Sequence, residues 1–146
     1  MATQAQLKAA TETLERTMRR VRERALPEGV RAAFLTWGIK SVGIMQAKQL
    51  SFRSATTLGV VTGRLRRSIT FRIEGGEDLN TMRGIFSTDV IYARVHEYGS
   101  VAGSPQHIKP RMHFHDTIKE EAAFLIGQVK NKVQVQIWRE GFKRRV

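Results

Sequence analysis

Histidines and arginines are the side chains of this sequence whose types and spacing could do chemistry. His113-x-His115 stands beside Asp116, with His96 and His107 earlier in the chain. Imidazole and carboxylate groups gathered in one place can hold a transition metal. The spacing matches no helical ligand pair such as H-E-x-x-H, because residues two apart on a helix diverge. On a strand, His113 and His115 would share a face. The competing reading is of ordinary loop and interface histidines. His96-Glu97 has the composition of an acid–base pair, yet such work needs a further partner and a pocket, and the sequence names neither. No G-x-S-x-G elbow or phosphate-binding glycine loop is present. With no cysteine, thiolate nucleophiles, thiolate metal sites and a disulfide framework are all excluded. No catalytic residue, cofactor or metal site is therefore assigned, and a protein without enzymatic activity is expected.

The arginines are the stronger signal. Arg53, Arg64, Arg66, Arg67 and Arg72 fall in a stretch, 53–73, that contains no acidic residue. The guanidinium fork suits bidentate contact with phosphate or carboxylate. Lysine and arginine together number 25 against 13 acidic residues, a formal net charge of +12. Such an excess points to a polyanionic partner, since basic side chains neutralise phosphates and release condensed counterions. Acidic surfaces of other proteins would satisfy the same charge, and a solvated strand edge, where basic residues discourage unwanted pairing, is the plain alternative for the cluster. A stand-alone basic nucleic-acid-binding protein remains open on this ground, although no reading helix or stacking platform is recognisable.

At 146 residues, 41% hydrophobic and 26% charged, the chain fits one soluble globular domain. The longest apolar runs are a few residues, too short to cross a bilayer, and Met1-Ala2-Thr3-Gln4 leads into a charged amphipathic pattern instead of a secretory signal. Assembly in a cytoplasm is the expectation. Between Gln6 and Ala25, the residues Leu7, Leu14, Met18, Val21 and Ala25 recur at helical spacing, with Thr3 as a candidate cap. Pro27-Glu28-Gly29 is expected to interrupt that helix, and Pro27 suits a break or the first turn of the next helix. A second helix over 28–50 carries Val30, Phe34, Trp37, Ser41 and Ile44 on one stripe, widened by Leu35, Ile39 and Val42, and should be central to the core. Gly38 and Gly43 within it predict close approach of a neighbouring backbone, since each costs about 1 kcal/mol relative to alanine.

A polar loop over 51–61 follows. Gly63 then starts a turn running into a strand over 68–73, where Ile69, Phe71 and Ile73 alternate with polar residues. A turn at Gly75-Gly76-Glu77-Asp78 leads to a second strand over 82–88. The segment 90–98 reads as an extended entry and a helical turn closed by Gly99, and 100–109 as an exposed loop. A long helix should begin near His113 or Asp116, with Ile118, Ala122, Leu125, Val129 and Val133 on one face. Val133 to Ile137 alternate with period two, but no turn signal separates them from what precedes, so continued helix is favoured. The fold class expected is α+β: a small, mostly antiparallel sheet flanked by long N-terminal and C-terminal helices. Residues 1–26 form an N-terminal helix that could serve as an assembly arm, 27–138 the core, and 139–146 a basic tail.

Three segments taken in order carry a family resemblance. Thr62-Gly63-Arg64-Leu65-Arg66-Arg67-Ser68-Ile69 looks like a T-G-x-L-R-x-S-I signature. Tyr92-Ala93, Val95, Glu97, Tyr98 and Gly99 are similar to a Y-A-x-x-x-E-[FY]-G element, and Ile108-Lys109-Pro110-Arg111-Met112-His113-Phe114 looks like I-x-P-R-x-F leading into a helix. The ordered set resembles the head–tail connector and tail-completion (minor tail protein Z-like) family of long-tailed phages, over about 27–133. Two features depart from that pattern: Val60-Val61 stand where a Pro-x-Asp lead-in is common, and Phe114 falls one residue late. The resemblance implies a virion structural protein of the neck or upper tail. It implies assembly as a homo-oligomeric ring, expected to be a hexamer, that joins other phage neck and tail proteins and lets DNA through its channel. No membrane is implied. On that basis Arg64, Arg66, Arg67, Glu97, Tyr98 and Arg111 are the candidate interface residues, with Glu97 a candidate to pair with a signature arginine within or between subunits. Gly63 and Gly99 are the expected structural turns.

Overall fold

The structure, a computed structural model, describes residues 4–50, 63–76, 78–101, 103, 108–111 and 113–141. The expectations that fall on Thr3, Arg53, the loop 51–61, Thr62, Glu77, His107, Met112 and the basic tail from residue 142 lie outside these.

Helix runs without a break from α1 (Gln4–Arg20), through a π-helical turn at Val21–Ala25, into α2 (Leu26–Ile44) and a second π turn at Met45–Gln49. The expected interruption at Pro27 is therefore corrected. Proline has no N–H to donate, and its ring crowds the carbonyl one turn back. The turn just before it is widened, with Leu26 N–H donating to Val21 O five residues back, so the chain passes the proline without leaving the helix.

After Gly63 the expected turn into the strand is a one-turn helix, α3 (Arg64–Ser68). It is followed by β1 (Thr70–Glu74) and β2 (Arg83–Ser87). The strands pair antiparallel with Phe71 opposite Phe86. Along β1 exposure alternates as the sequence pattern requires, with Phe71 and Ile73 on the half-buried face. Beyond β2 come α4 (Ala93–Tyr98), α5 (His113–Glu120) and α6 (Ala122–Gly141). The helix expected from His113 is thus in two segments. Hydrogen bonds from Glu121 N–H to Thr117 O and from Leu125 N–H to Glu121 O, 3.0 and 3.1 Å, carry it across the irregularity. The period-two stretch 133–137 is helical. The architecture is α+β, a two-stranded antiparallel sheet with long helices at both ends of the chain.

The core sits where α2 crosses the sheet. Trp37 is buried with ring centroids 6.0, 5.9 and 5.1 Å from Phe34, Phe71 and Phe86. Edge-on packing of this kind adds to the burial of the rings themselves. Gly38 lies directly against the Phe71 ring, so the expected close approach is made by a side chain. A second cluster of Met45, Leu50 and Ile69 is flanked by Val42, Leu65, Phe86 and Phe114.

On the other side of α2, α6 packs so closely at Gly29 that an added Cβ would lie 2.7 Å from the Val133 Cα. The pairing of these helices is reinforced by an ion pair of 2.6 Å between Lys40 and Glu121, with the Lys40 ammonium 3.8 Å from the Phe124 ring centroid. Gly43 departs from expectation: among the described residues nothing lies within 4 Å of where its Cβ would be. No described helix is long and apolar enough to cross a membrane.

Candidate functional site

The first of the three resembling segments is built around a left-handed residue. Gly63, at φ 68° and ψ 1°, precedes α3, a conformation that residues with a Cβ resist. The turn sends Leu65 and Ile69 inward against Met45 and Leu50. Ser68 closes it: its hydroxyl donates to Leu65 O at 2.9 Å and lies 2.5 Å from the Thr88 hydroxyl, whose oxygen accepts from Val90 N–H at 3.2 Å. With one face of α3 committed to the core, Arg64, Arg66 and Arg67 are left exposed.

The second and third segments form one hydrogen-bonded unit. Glu97 is buried, 6% exposed. Its carboxylate accepts from Phe114 N–H at 3.1 Å through one oxygen and from His115 N–H at 3.0 Å through the other. Glu97 therefore caps the N-terminus of α5, where free backbone donors and the helix dipole both favour a negative group. Within the chain the Glu97 carboxylate is thus engaged by backbone donors of α5.

The unit is closed by Arg111 N–H donating to His96 O at 2.9 Å, Ser100 N–H to Ile108 O at 3.0 Å and Ile108 N–H to the Ser100 hydroxyl at 3.0 Å. Gly99, at φ 85°, has space for a Cβ only 3.0 Å from Ile108 O and 3.1 Å from Pro110 Cδ. The glycine and the proline thus fit each other. Tyr98 stays exposed and Arg111 is half-buried.

The histidines part company in space. His115 is exposed, whereas His113 is buried with neither ring nitrogen hydrogen-bonded. Burial lowers the His113 pKa from its usual 6.5; Glu97 opposes this, Arg111 and His96 add to it, and Asp116 opposes it. His96 is lowered by burial and then by Arg111. Both rings are thus biased to the neutral form. Among the described residues no group of three or more His, Asp or Glu is placed to hold a metal ion.

An open groove of about 550 Å³ runs along β2, walled by Ala93, Glu97 and Tyr98 of α4 and by Phe114, His115 and Ile118 of α5. It brings candidate residues Glu97 and Tyr98 together but not the α3 arginines, which are absent from its lining. The capping role of Glu97 and the Ser68–Thr88 link were not visible in the sequence. Each joins residues 17 to 20 positions apart, and no local pattern marks such pairs. Comparison with known proteins finds no matching family model, no matching curated protein and no matching solved structure.

Proposed function

We propose that this chain is a structural protein of the phage neck or upper tail, a ring-forming tail-completion or head–tail joining protein that works by assembly and not by catalysis. Support comes from how the resembling segments divide their labour. Gly63, Leu65, Ser68, Ile69, Glu97, Gly99 and Pro110 hold the turn and the α4–α5 unit together, while Arg64, Arg66 and Arg67 project outward from that fixed base. A rigid scaffold presenting exposed arginines is a means of docking to something negative. Its partners in this proposal are further copies of the chain in a ring, expected to be hexameric, the other neck and tail proteins, and DNA in the channel. Its place is the virion, after assembly in the host cytoplasm.

Each solvent-exposed charge pair is worth about 0–1 kcal/mol, but a ring repeats it, so joining should weaken as salt rises. The test is the double variant Arg64→Glu, Arg67→Glu, which is expected to fold and yet to leave filled heads and separate tails in the lysate. Intact virions at wild-type yield would reduce α3 to a solvated surface. The net charge of +12 favours one second reading, a stand-alone nucleic-acid-binding protein. Salt-dependent DNA binding by a monomer, with no assembled form, would establish it instead.

A further inference from the structure

Residues 16–24 hold five arginines and one acid, Glu23. Arg16, Arg19, Arg20, Arg22 and Arg24 are all exposed, and they lie across the end of α1 and the π turn that follows. Arginine near a helix C-terminus is ordinarily accounted for by the helix dipole, which favours cations there. That account fails here, because the helix runs on to Gln49. Arg16 with Arg19 and Arg20, Arg19 with Arg22, and Arg20 with Arg24 are neighbours three or four residues apart, and like charges at that spacing destabilise a helix.

Little in the chain neutralises this charge. Arg16 has a loose contact of 3.9 Å with the exposed Glu12. Glu15, Glu23 and Glu28 stand within a turn of the other arginines, yet among the described residues no ion pair reaches Arg19, Arg20, Arg22 or Arg24. Outside the described residues the only acidic side chain is Glu77, between β1 and β2, while Arg53, Lys143, Arg144 and Arg145 add positive charge. A further cation comes from α6. This helix runs antiparallel to α2, with Glu121 beside Lys40 and Val133 against Gly29, and packs on the π turn at Val21–Ala25. It thereby carries the exposed Arg139 toward the cluster.

We infer that this girdle of arginines is a binding surface for double-stranded DNA, held through its phosphates and without reading sequence. Its form selects the ligand. Arg16 to Arg24 occupy about 12 Å of helix axis and more than half of the helix circumference, so their guanidinium groups can face both walls of a groove. The major groove of B-form DNA is about 12 Å wide and admits a helix, whereas that of duplex RNA is too narrow for side chains to read. Single strands are gripped by stacking on aromatic rings, and residues 4–25 include none. An anionic lipid surface calls for a broad apolar face with aromatic side chains, which Leu7, Leu14 and Met18 do not supply. No residue of α1 is buried, and among the described residues α6 meets it only slightly. The girdle is separate from the arginines of α3, which packs against the far π turn at Met45–Gln49, about 40 Å of helix away. One chain can thus hold DNA and a neck or tail protein at once. The inference rests on the function proposed above only for DNA as the polyanion at hand.

The test is fluorescence anisotropy of a labelled, random-sequence DNA duplex of about 30 base pairs, titrated over a range of salt concentrations. Log K should fall linearly with log salt. Arg19→Gln, Arg20→Gln and Arg22→Gln together should make that slope shallower by about 2.7 and weaken binding at least about tenfold at about 0.1 M salt. Circular dichroism should show unchanged helix, glutamine being as good a helix former as arginine. Lysine at the same three positions should keep the wild-type slope. Arg72→Gln, Arg83→Gln and Arg94→Gln, an equal change of net charge on the sheet and α4, should alter the slope by less than about 1. The inference is overturned if the wild type does not bind the duplex, if both glutamine variants lose slope equally, or if the slope survives the α1 substitutions. It is also overturned if poly-L-glutamate or phosphatidylglycerol vesicles bind through these arginines more tightly than the duplex, which would make the girdle a protein or membrane contact. Failure on DNA beside a closed, salt-sensitive oligomer would leave the ring proposal standing. Duplex binding through α1 by a chain that never assembles would uphold the inference and remove the ring.

Discussion

The two halves of the helix from Gln4 to Gln49 both repeat apolar residues at helical spacing and meet opposite fates. In α2, Trp37 and Ala33 are buried, and the helix is enclosed by the sheet on one side and α6 on the other. In α1, Leu7, Leu14 and Met18 stand exposed. Amphipathic periodicity says that a face wants covering; it does not say whether the cover comes from the same chain. What separates the two halves is the supply of partners. Among the described residues the strands pack on α2, and α6 packs mainly on α2 and the π turn before it and meets α1 only slightly.

That contrast can be broken at several strengths. Trp37→Ala should cost about 3–5 kcal/mol in a urea titration, because it empties the space at the centre of three aromatic rings. Glu97→Ala should cost about 2 kcal/mol by leaving two backbone donors of α5 unmet in a buried place, with Glu97→Gln in between. A value near zero for Glu97→Ala would mean that α5 starts without its help. The histidines should make stability depend on pH. Their folded pKa values lie below the usual 6.5, so the unfolded chain takes up protons first. Stability is then complete above the unfolded value and is lost as pH falls below about 6.5 toward the folded values. The urea midpoint should drop between about pH 7.5 and about pH 5.5, and drop less in His113→Leu. In the arm, Leu14→Ala should change monomer stability by no more than about 0.5 kcal/mol. A loss comparable to that of Trp37→Ala would show that α1 is covered within its own chain.

Much of the body was legible in the sequence because its signals are local. The period of α2 and α6, the alternation of Ile69, Phe71 and Ile73, and the closing glycine of α4 each act within a few residues. The turn after Gly63 was legible but its helical form was not, since Arg64 to Ser68 is too short to show a period. Pro27 does stand in the first turn of α2, but the interruption expected there is missing because the π turn that absorbs the proline has no sequence mark. The role of Glu97 as a helix cap was not legible. Glu97 in an E-[FY]-G element reads as a charge for a partner, and only the fold brings α5's first N–H groups to it.

The central claim is that this chain acts by assembling, and the mass of the purified protein tests it most directly. Native mass spectrometry at low and high ionic strength should give a closed multiple of the 16.6 kDa chain, held less well as salt rises. A chain that stays monomeric at every concentration, and binds DNA in that form, would contradict the account.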